Sequence, residues 1–232
     1  MSNCQTGCVV NPLFLRSIQE QRRTAMPKLL HIQSSPMEEL SFSTRAAKAF
    51  ADAYAEAHPG DSVEVLDLWK TELPHFDFTA ASGKYKIMRG LPHSADEARA
   101  WEGVIRLIEH LKSVDKVLVS AGMWNFSIPY RLKQYLDVII QPGHTFSFDP
   151  EKGYSGLVTG KPLQLILASG GEYPEGSPAA GFDFQKPYLE MIFGFIGFTD
   201  IRTLRVEGTL TPDAESNLDR IMEAARSAGK VF

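Results

Sequence analysis

The 232-residue chain contains only two cysteines, Cys4 and Cys8, and both lie within its first few residues. A disulfide framework needs cysteines distributed through the fold, so we expect the core to form in a reducing compartment and predict a cytoplasmic protein. No histidine stands near the two cysteines, which argues against a metal site there.

Clusters of basic residues are also missing. The chain has 24 Lys and Arg against 28 Asp and Glu, a net charge of −4, and no segment could neutralise several phosphates of a nucleic acid. No apolar run is long enough to span a membrane. We therefore expect neither nucleic acid nor membrane as a partner, and the 44% hydrophobic content is typical of a globular domain.

Several motifs of enzyme chemistry are absent as well. The chain has no G-x-S-x-G, C-x-x-C or H-E-x-x-H, and its six histidines lack metal-ligand spacing. The first predicted strand is not followed by G-x-G-x-x-G, and GLVTGKP at 156–162 is one residue short of a phosphate-binding loop and precedes its strand. No obvious protein nucleophile remains, so an enzyme with this sequence would depend on a bound cofactor.

Residues 1–25 differ from the rest of the chain. The segment CVVNPLFL is short and interrupted by proline, and the basic residues follow it, which is not the order of a secretory signal. We therefore predict that 1–25 is an extension outside the core and that the domain spans 26–232.

What is present is an alternation of strand and helix patterns. Strands are predicted at 28–34, 62–69, 116–123, 162–169 and 200–208, and helices at 44–58, 95–114, 129–140, 184–198 and from Thr211 to about 228. We predict an irregular segment at 70–94 and a hairpin-like flap at 143–161. Five strands that alternate with five helices indicate an α/β domain, a doubly wound parallel sheet with helices on both faces.

The loop after the first strand, QSSPMEELSFSTR, is rich in hydroxyl groups. They belong to Ser34, Ser35, Ser41, Ser43 and Thr44, and the last three stand at the start of a helix. Free N–H groups and the positive end of the helix dipole make such a position an anion site. The alternative is that Ser41 or Ser43 only caps the helix. Five hydroxyls over a dozen residues favour phosphate binding.

The loop after the third strand, MWNFSIP, combines two large aromatic residues with an amide. In an open α/β sheet the ligand lies beyond the carboxyl ends of the strands, so Trp124 and Phe126 could form the wall for a flat ring, with hydrogen bonds from Asn125 at its edge. The alternative is that both aromatics belong to the core. After the fourth strand, Gly170 and Gly171 would let the backbone approach a ligand, or would simply form a tight turn.

Four segments together resemble the bacterial FMN-dependent NAD(P)H quinone and azo reductases, which are related to the mammalian quinone reductases. The segments are QSSPMEELSFS, AGMWNFSIPYRLKQYLD, YSGLVTGK and PYLEMIFGFIGFTDIRTLRVEG, and the resemblance covers Met26 to Phe232. It implies a flavodoxin-like sheet of strand order 2-1-3-4-5, one FMN per subunit, and a homodimer with active sites at the subunit interface. It also implies NADH or NADPH as co-substrate, and quinones and azo compounds as acceptors.

The resemblance also implies roles for individual residues. The phosphate of FMN would be held by Ser34, Ser41, Phe42 and Ser43, the flavin ring by Met123, Trp124, Asn125 and Phe126, and the pyrimidine side of the ring by Ala168, Ser169, Gly170 and Gly171. Phe42 replaces a residue that is polar in many relatives, so only its N–H could reach the phosphate, and Trp124 stands where tyrosine is common. Tyr173 lies in a region that many relatives place near the substrate.

The implied reaction is a two-electron, ping-pong transfer of hydride. Asn125, Gly170, Gly171 and Tyr173 are then the predicted catalytic residues, with Gly170 and Gly171 stabilising charge on the reduced ring and Tyr173 assisting the acceptor. Phe146, Phe148, Phe182 and Phe184 could form an apolar lid or could pack locally. The apolar helix at 184–198 predicts a dimer interface. Alternatives are a flavodoxin-type electron carrier, an NADPH-dependent FMN reductase and a flavin-free binding module.

Overall fold

The computed structural model describes residues 26–232. Cys4, Cys8 and the predicted extension at 1–25 lie outside the described residues, so the extension stays a prediction. No helix in this part of the chain combines the length and the apolar character needed to cross a membrane.

Five parallel strands form the central sheet, as predicted. They are β1 (Lys28–Gln33), β2 (Ser62–Asp67), β3 (Lys116–Gly122), β6 (Pro162–Ala168) and β7 (Asp200–Val206), and their order is β2-β1-β3-β6-β7. The predicted order 2-1-3-4-5 counts only the strands of this sheet. When all strands are numbered along the chain, the two hairpin strands become β4 and β5, and the last two strands of the sheet become β6 and β7. The strands β1, β3 and β6 are nearly continuous apolar runs because both faces of the sheet are covered.

The described part of the chain contains six α-helices. They are α1 (Phe42–Ala57), α2 (Phe78–Met88), α3 (Ala95–Ser113), α4 (Tyr130–Ile139), α5 (Lys186–Ile196) and α6 (Ala214–Lys230). One core lies beneath α1 and α6, where Phe50 and Tyr54 are fully buried. The other lies beneath α3, α4 and α5, around Ile108, Leu132 and Phe193. Helices on both faces confirm the doubly wound architecture.

The helix α2 corrects the prediction that 70–94 is irregular. Its apolar periodicity is weak, and Gly83 in its middle is unfavourable in a helix, so the segment lacks a clear helical pattern. Tertiary packing compensates, since a Cβ on Gly83 would lie 2.5 Å from the carbonyl oxygen of Glu97, and only glycine lets α2 approach α3 this closely. The side chains of Ser82 and Lys86 then donate to Glu97 Oε1 at 2.6 and 2.7 Å.

The flap is an antiparallel hairpin of β4 (Phe146–Asp149) and β5 (Gly153–Gly156), as predicted. Its aromatic side chains pack on α5: the ring of Phe195 lies 4.8 Å from that of Phe146 and 5.5 Å from that of Tyr154. The last helix begins at Ala214, after the predicted Thr211, because the Thr211 hydroxyl donates to Gly208 O and closes a turn ahead of it.

Candidate functional site

Three loops meet at the carboxyl ends of β1, β3 and β6. Because these strands are neighbours in the sheet, their loops lie side by side. The N–H of Ser34 donates to Ser120 O at 3.1 Å, and that of Met123 donates to Ala168 O at 2.6 Å. The strand order reverses between β1 and β3, which is where ligands bind in folds of this kind.

The start of α1 presents several polar groups. Ser41 caps the helix, since its Oγ accepts the N–H of Thr44 at 3.3 Å, and the hydroxyls of Ser41 and Ser43 lie 3.1 Å apart. The N–H groups of Phe42 and Ser43 belong to the first turn and have no partner inside the helix. The Oγ1 of Thr44 is buried without a hydrogen-bond partner among the described residues. Capping therefore accounts for Ser41 but leaves donors for an anion.

Ser34 is placed differently from the other hydroxyls. Its side chain is fully buried, and its Oγ donates to the carbonyl oxygen of Ser120 at 2.8 Å. The hydroxyl proton is thus committed to β3. This hydrogen bond fixes the first loop to the sheet. The predicted contact of Ser34 with a phosphate would require the hydrogen bond to Ser120 to break.

The MWNFSIP loop contains a strained two-residue turn. Trp124 and Ser127 exchange two backbone hydrogen bonds of 2.9 Å each, and between them Asn125 and Phe126 have φ of 48° and 67°. Asparagine tolerates this left-handed region, but for a residue such as phenylalanine it costs about 1–2 kcal/mol. The Phe184 N–H, which donates to Phe126 O at 2.9 Å, helps to hold the turn. Backbone strain of this kind is concentrated at functional sites.

The aromatic residues of this loop do not belong to the core. Trp124 is 37% exposed and Phe126 49% exposed. The ring of Trp124 lies 5.9 Å from those of both Trp69 and Tyr130, which are 5.3 Å from each other. Trp69 also donates its indole N–H to Ser34 O at 2.9 Å and so connects the first two loops. Trp69 closely follows β2 and Tyr130 begins α4, and neither was among the predicted site residues.

The Gly170–Gly171 turn has free donors. Both carbonyl oxygens accept bonds of 3.3 Å, from Leu210 N and Gly208 N, whereas neither glycine N–H has a partner among the described residues. A Cβ at Gly170 would lie 2.6 Å from Leu210 Cδ1, so the missing side chain also makes room for Leu210. The side chain that approaches Gly170 is therefore Leu210 of the same chain.

An ion-pair network holds the long loop from 169 to 185. Arg205 on β7 lies 2.6 Å from Glu207 Oε1 and 3.0 Å from Asp183 Oδ2, and the Asp183 side chain is only 7% exposed. Glu207 Oε1 also accepts the N–H of Tyr173 at 2.9 Å. Asp183 Oδ1 accepts the N–H groups of Gln185 and Lys186. We call Arg205, Asp183 and Glu207 the Arg205 network; no motif in the sequence indicated it.

The predicted lid residues separate into two groups. Phe182 and Phe184 are more than half exposed beside the MWNFSIP loop, with the Phe182 ring 5.4 Å from that of Phe126. Phe148 is 61% exposed at the flap, whereas Phe146 packs on Phe195. Phe146 thus follows the local-packing alternative, and Phe148 packs on Tyr154 with their rings 5.0 Å apart. Phe182 and Phe184 are the two that lie beside the MWNFSIP loop.

Several known proteins are similar to this chain in sequence or in structure. A family model described as a flavodoxin-like fold matches residues 27–230. The FMN-dependent NADH:quinone oxidoreductase of Nitratidesulfovibrio vulgaris is 49% identical over 206 residues, which are 89% of this chain and 98% of that protein. An azoreductase from Bacillus anthracis is 33% identical, with a TM-score of 0.83 over 89% of this chain and 100% of that one.

A second solved structure, an FMN-dependent NADH-azoreductase from Bacillus anthracis in complex with FMN, is 27% identical with a TM-score of 0.83, over 89% of this chain and 99% of that one. The fold and the position of the site define a doubly wound α/β protein with a ligand site at its switch point. The chain belongs to the flavodoxin-like family of FMN-dependent NADH:quinone oxidoreductases and azoreductases.

Proposed function

We propose that the protein is an FMN-dependent oxidoreductase that transfers two electrons from NADH to quinones and also reduces aromatic azo compounds to amines. The observation that carries this proposal is the convergence at one sheet edge of an anion site, an aromatic wall and free backbone donors. The relatives whose names include FMN and NADH:quinone oxidoreductase support it at up to 49% identity.

The start of α1 fits the phosphate of FMN. A phosphate needs donors in a buried position, and the N–H groups of Phe42 and Ser43 and the hydroxyl of Thr44 are such donors. No lysine or arginine is required, because the helix dipole contributes positive potential. The aromatic side chain of Phe42 does not interfere with a contact made through its backbone.

The ring of FMN would lie among the MWNFSIP loop and Gly170–Gly171. When bound, FMN would supply the redox chemistry for hydride transfer between NADH and the acceptor. The backbone turn would present Asn125 to the ring edge, and the free N–H groups of Gly170 and Gly171 would face negative charge on the pyrimidine side. Trp124 would bound the ring edge, and Phe182 and Phe184 would exclude water from the acceptor. Tyr173, whose N–H is fixed by Glu207, is the residue proposed to assist the acceptor.

A homodimer is proposed with the site at its interface. The apolar character of α5, from which the interface was predicted, is largely accounted for by packing inside the subunit, because Leu189, Phe193 and Ile196 are buried. Support comes instead from the exposed aromatic rim of the site, which monomeric proteins rarely display. Its members are Trp124, Phe126, Tyr130, Phe182 and Phe184, each between 37% and 60% exposed. Light scattering at micromolar concentration should give the mass of a dimer, and a monomer would contradict this proposal.

We also propose that residues 26–232 form the complete catalytic domain and that it works in the cytoplasm. Equal FMN binding and turnover by the full chain and by a chain starting at Met26 would support the domain limits. Lower FMN affinity of the shortened chain would contradict them.

The activity is tested by reconstituting the purified protein with FMN and following NADH oxidation with 2-methyl-1,4-naphthoquinone and with an azo dye. We expect a yellow protein and steady turnover with both acceptors, and comparison with NADPH measures the nicotinamide preference. FMN binding without turnover of either acceptor would refute the reductase and favour an electron carrier. A protein that cannot bind FMN would favour the flavin-free binding module.

A further inference from the structure

An open cavity of about 750 Å³ lies between α2 and α4, outside the three loops described above. We call it the Lys84 cavity. Its walls combine aromatic, aliphatic and charged side chains: Phe76, Lys84, Tyr130, Lys133, Asp137 and Val138. A cavity with apolar walls and a few polar groups is the usual form of a site for a small aromatic molecule.

Lys84 is the charge in this cavity that lacks a counter-ion. The residue is only 9% exposed, and no carboxylate lies within ion-pair distance of its amine in the described part of the chain. Its Nζ lies over the rings of Phe76 and Tyr85, at 5.7 and 5.3 Å from their centroids. Burial lowers the pKa of the amine. Lys133, by contrast, is neutralised by Asp137 at 2.6 Å. Most of the Lys84 side chain is removed from water and its amine has no counter-ion among the described residues, so an anionic ligand would be stabilised there.

The cavity borders the MWNFSIP loop of the proposed flavin site at Tyr130. The Tyr130 ring lines the cavity and lies 5.9 Å from that of Trp124 in the MWNFSIP loop. Tyr130 is also the first residue of α4, which then follows the cavity wall for about 15 Å. An aromatic acceptor stacked near Trp124 could therefore extend past Tyr130 into the cavity.

We propose that the Lys84 cavity receives an anionic substituent, a carboxylate or a sulfonate, of the aromatic electron acceptor, and that Lys84 determines this specificity. The inference rests on the proposed function and names a class of its substrates. The phosphates of NADH are another source of anionic groups, but one amine in a cavity with aromatic walls suits a single charge on an aromatic ring better than a pyrophosphate.

The test compares 1,4-naphthoquinone-2-sulfonate with the neutral 2-methyl-1,4-naphthoquinone, using the FMN-reconstituted enzyme. The variant Lys84→Met should raise KM for the sulfonate roughly tenfold, the loss expected for one charge-assisted hydrogen bond, and leave KM for the neutral quinone within about twofold. Lys84→Arg should restore most of the preference. Lys48→Gln is the matched control for net charge, since its amine pairs with Asp52 on the same helix, and it should change neither KM.

A second measurement does not depend on electron transfer. Naphthalene-2-sulfonate, which accepts no electrons, should inhibit competitively against the quinone, and its inhibition constant should rise in Lys84→Met by the same factor as KM for the sulfonated quinone. Bound FMN and the thermal midpoint of each variant verify that it is folded.

Three results would overturn the inference. Equal losses for both quinones would mean that Lys84 supports the fold, and a change confined to KM for NADH would place the nucleotide in the cavity. No change at all would mean that the amine is not used. Failure of the proposed function is distinguishable, because the wild-type enzyme would then reduce neither the charged nor the neutral quinone.

Discussion

Removing the guanidinium of Arg205 is the sharpest structural test of how the third loop is held. Arg205 joins β7 to Asp183 at 3.0 Å and to Glu207 at 2.6 Å. The variant Arg205→Met keeps most of the apolar stem and removes both ion pairs. Asp183, whose side chain is 7% exposed, would then be a buried carboxylate without a cation.

The loss of stability expected for Arg205→Met can be estimated from this geometry. Breaking a fully buried pair costs about 3–5 kcal/mol, but Arg205 is 29% exposed, and Asp183 keeps the hydrogen bonds from Gln185 N and Lys186 N. We therefore expect the free energy of unfolding to fall by about 2 kcal/mol. Because Glu207 also fixes Tyr173 N, the loop that carries Gly170 and Gly171 should loosen, and FMN affinity should fall about tenfold.

The assay is urea unfolding of the apoprotein together with FMN titration followed by flavin fluorescence. Arg202→Met is the matched control on the same strand, since its pair with Asp200 is 43% and 49% exposed and should be worth less than about 1 kcal/mol. Asp183→Asn in the Arg205→Met background removes the unpaired charge and should recover part of the stability. If Arg205→Met loses no more than Arg202→Met, and FMN affinity is unchanged, the network does not position the loop.

Three further predictions concern the proposed site and the sheet beneath it. Asn125→Ala and Asn125→Gly should both weaken FMN binding in titrations; since glycine tolerates the φ of 48°, wild-type affinity in Asn125→Gly would show that the amide is not used. Thr44→Val should lower FMN affinity about tenfold without lowering apoprotein stability, because its buried hydroxyl lacks a partner; a loss of stability instead would indicate a structural role. Burial lowers the pKa of His31 to about 4, so its contribution to stability is complete above about pH 6.5 and should be lost as pH falls toward 4, by up to about 3 kcal/mol. Urea unfolding from pH 8 to 4 should show a smaller decline in His31→Gln, and identical slopes would contradict this.

Much of the fold could be predicted because its signals are local. Strands buried on both faces require nearly continuous apolar runs, and β3 and β6 show them from Val117 to Ala121 and from Leu163 to Ala168, interrupted only by Ser120 and Gln164. The loops at their carboxyl ends follow from topology, so the neighbouring positions of Ser41, Asn125 and Gly170 could be expected. The helix α2 could not, because glycine in a helix is unfavourable locally and its benefit exists only against α3.

The candidate site was also predictable only in part. Residue types and their order along the chain determined which loops carry hydroxyls, aromatics and glycines. Only the tertiary structure decided what each group is free to do: the Ser34 hydroxyl is committed to Ser120, the N–H groups of Gly170 and Gly171 are free, and Phe146 packs on Phe195. Hydrogen bonds and ion pairs join residues that are distant in the chain, as Arg205 and Asp183 are. Local patterns carry no record of such pairs, because they depend on how the sheet brings separate loops together.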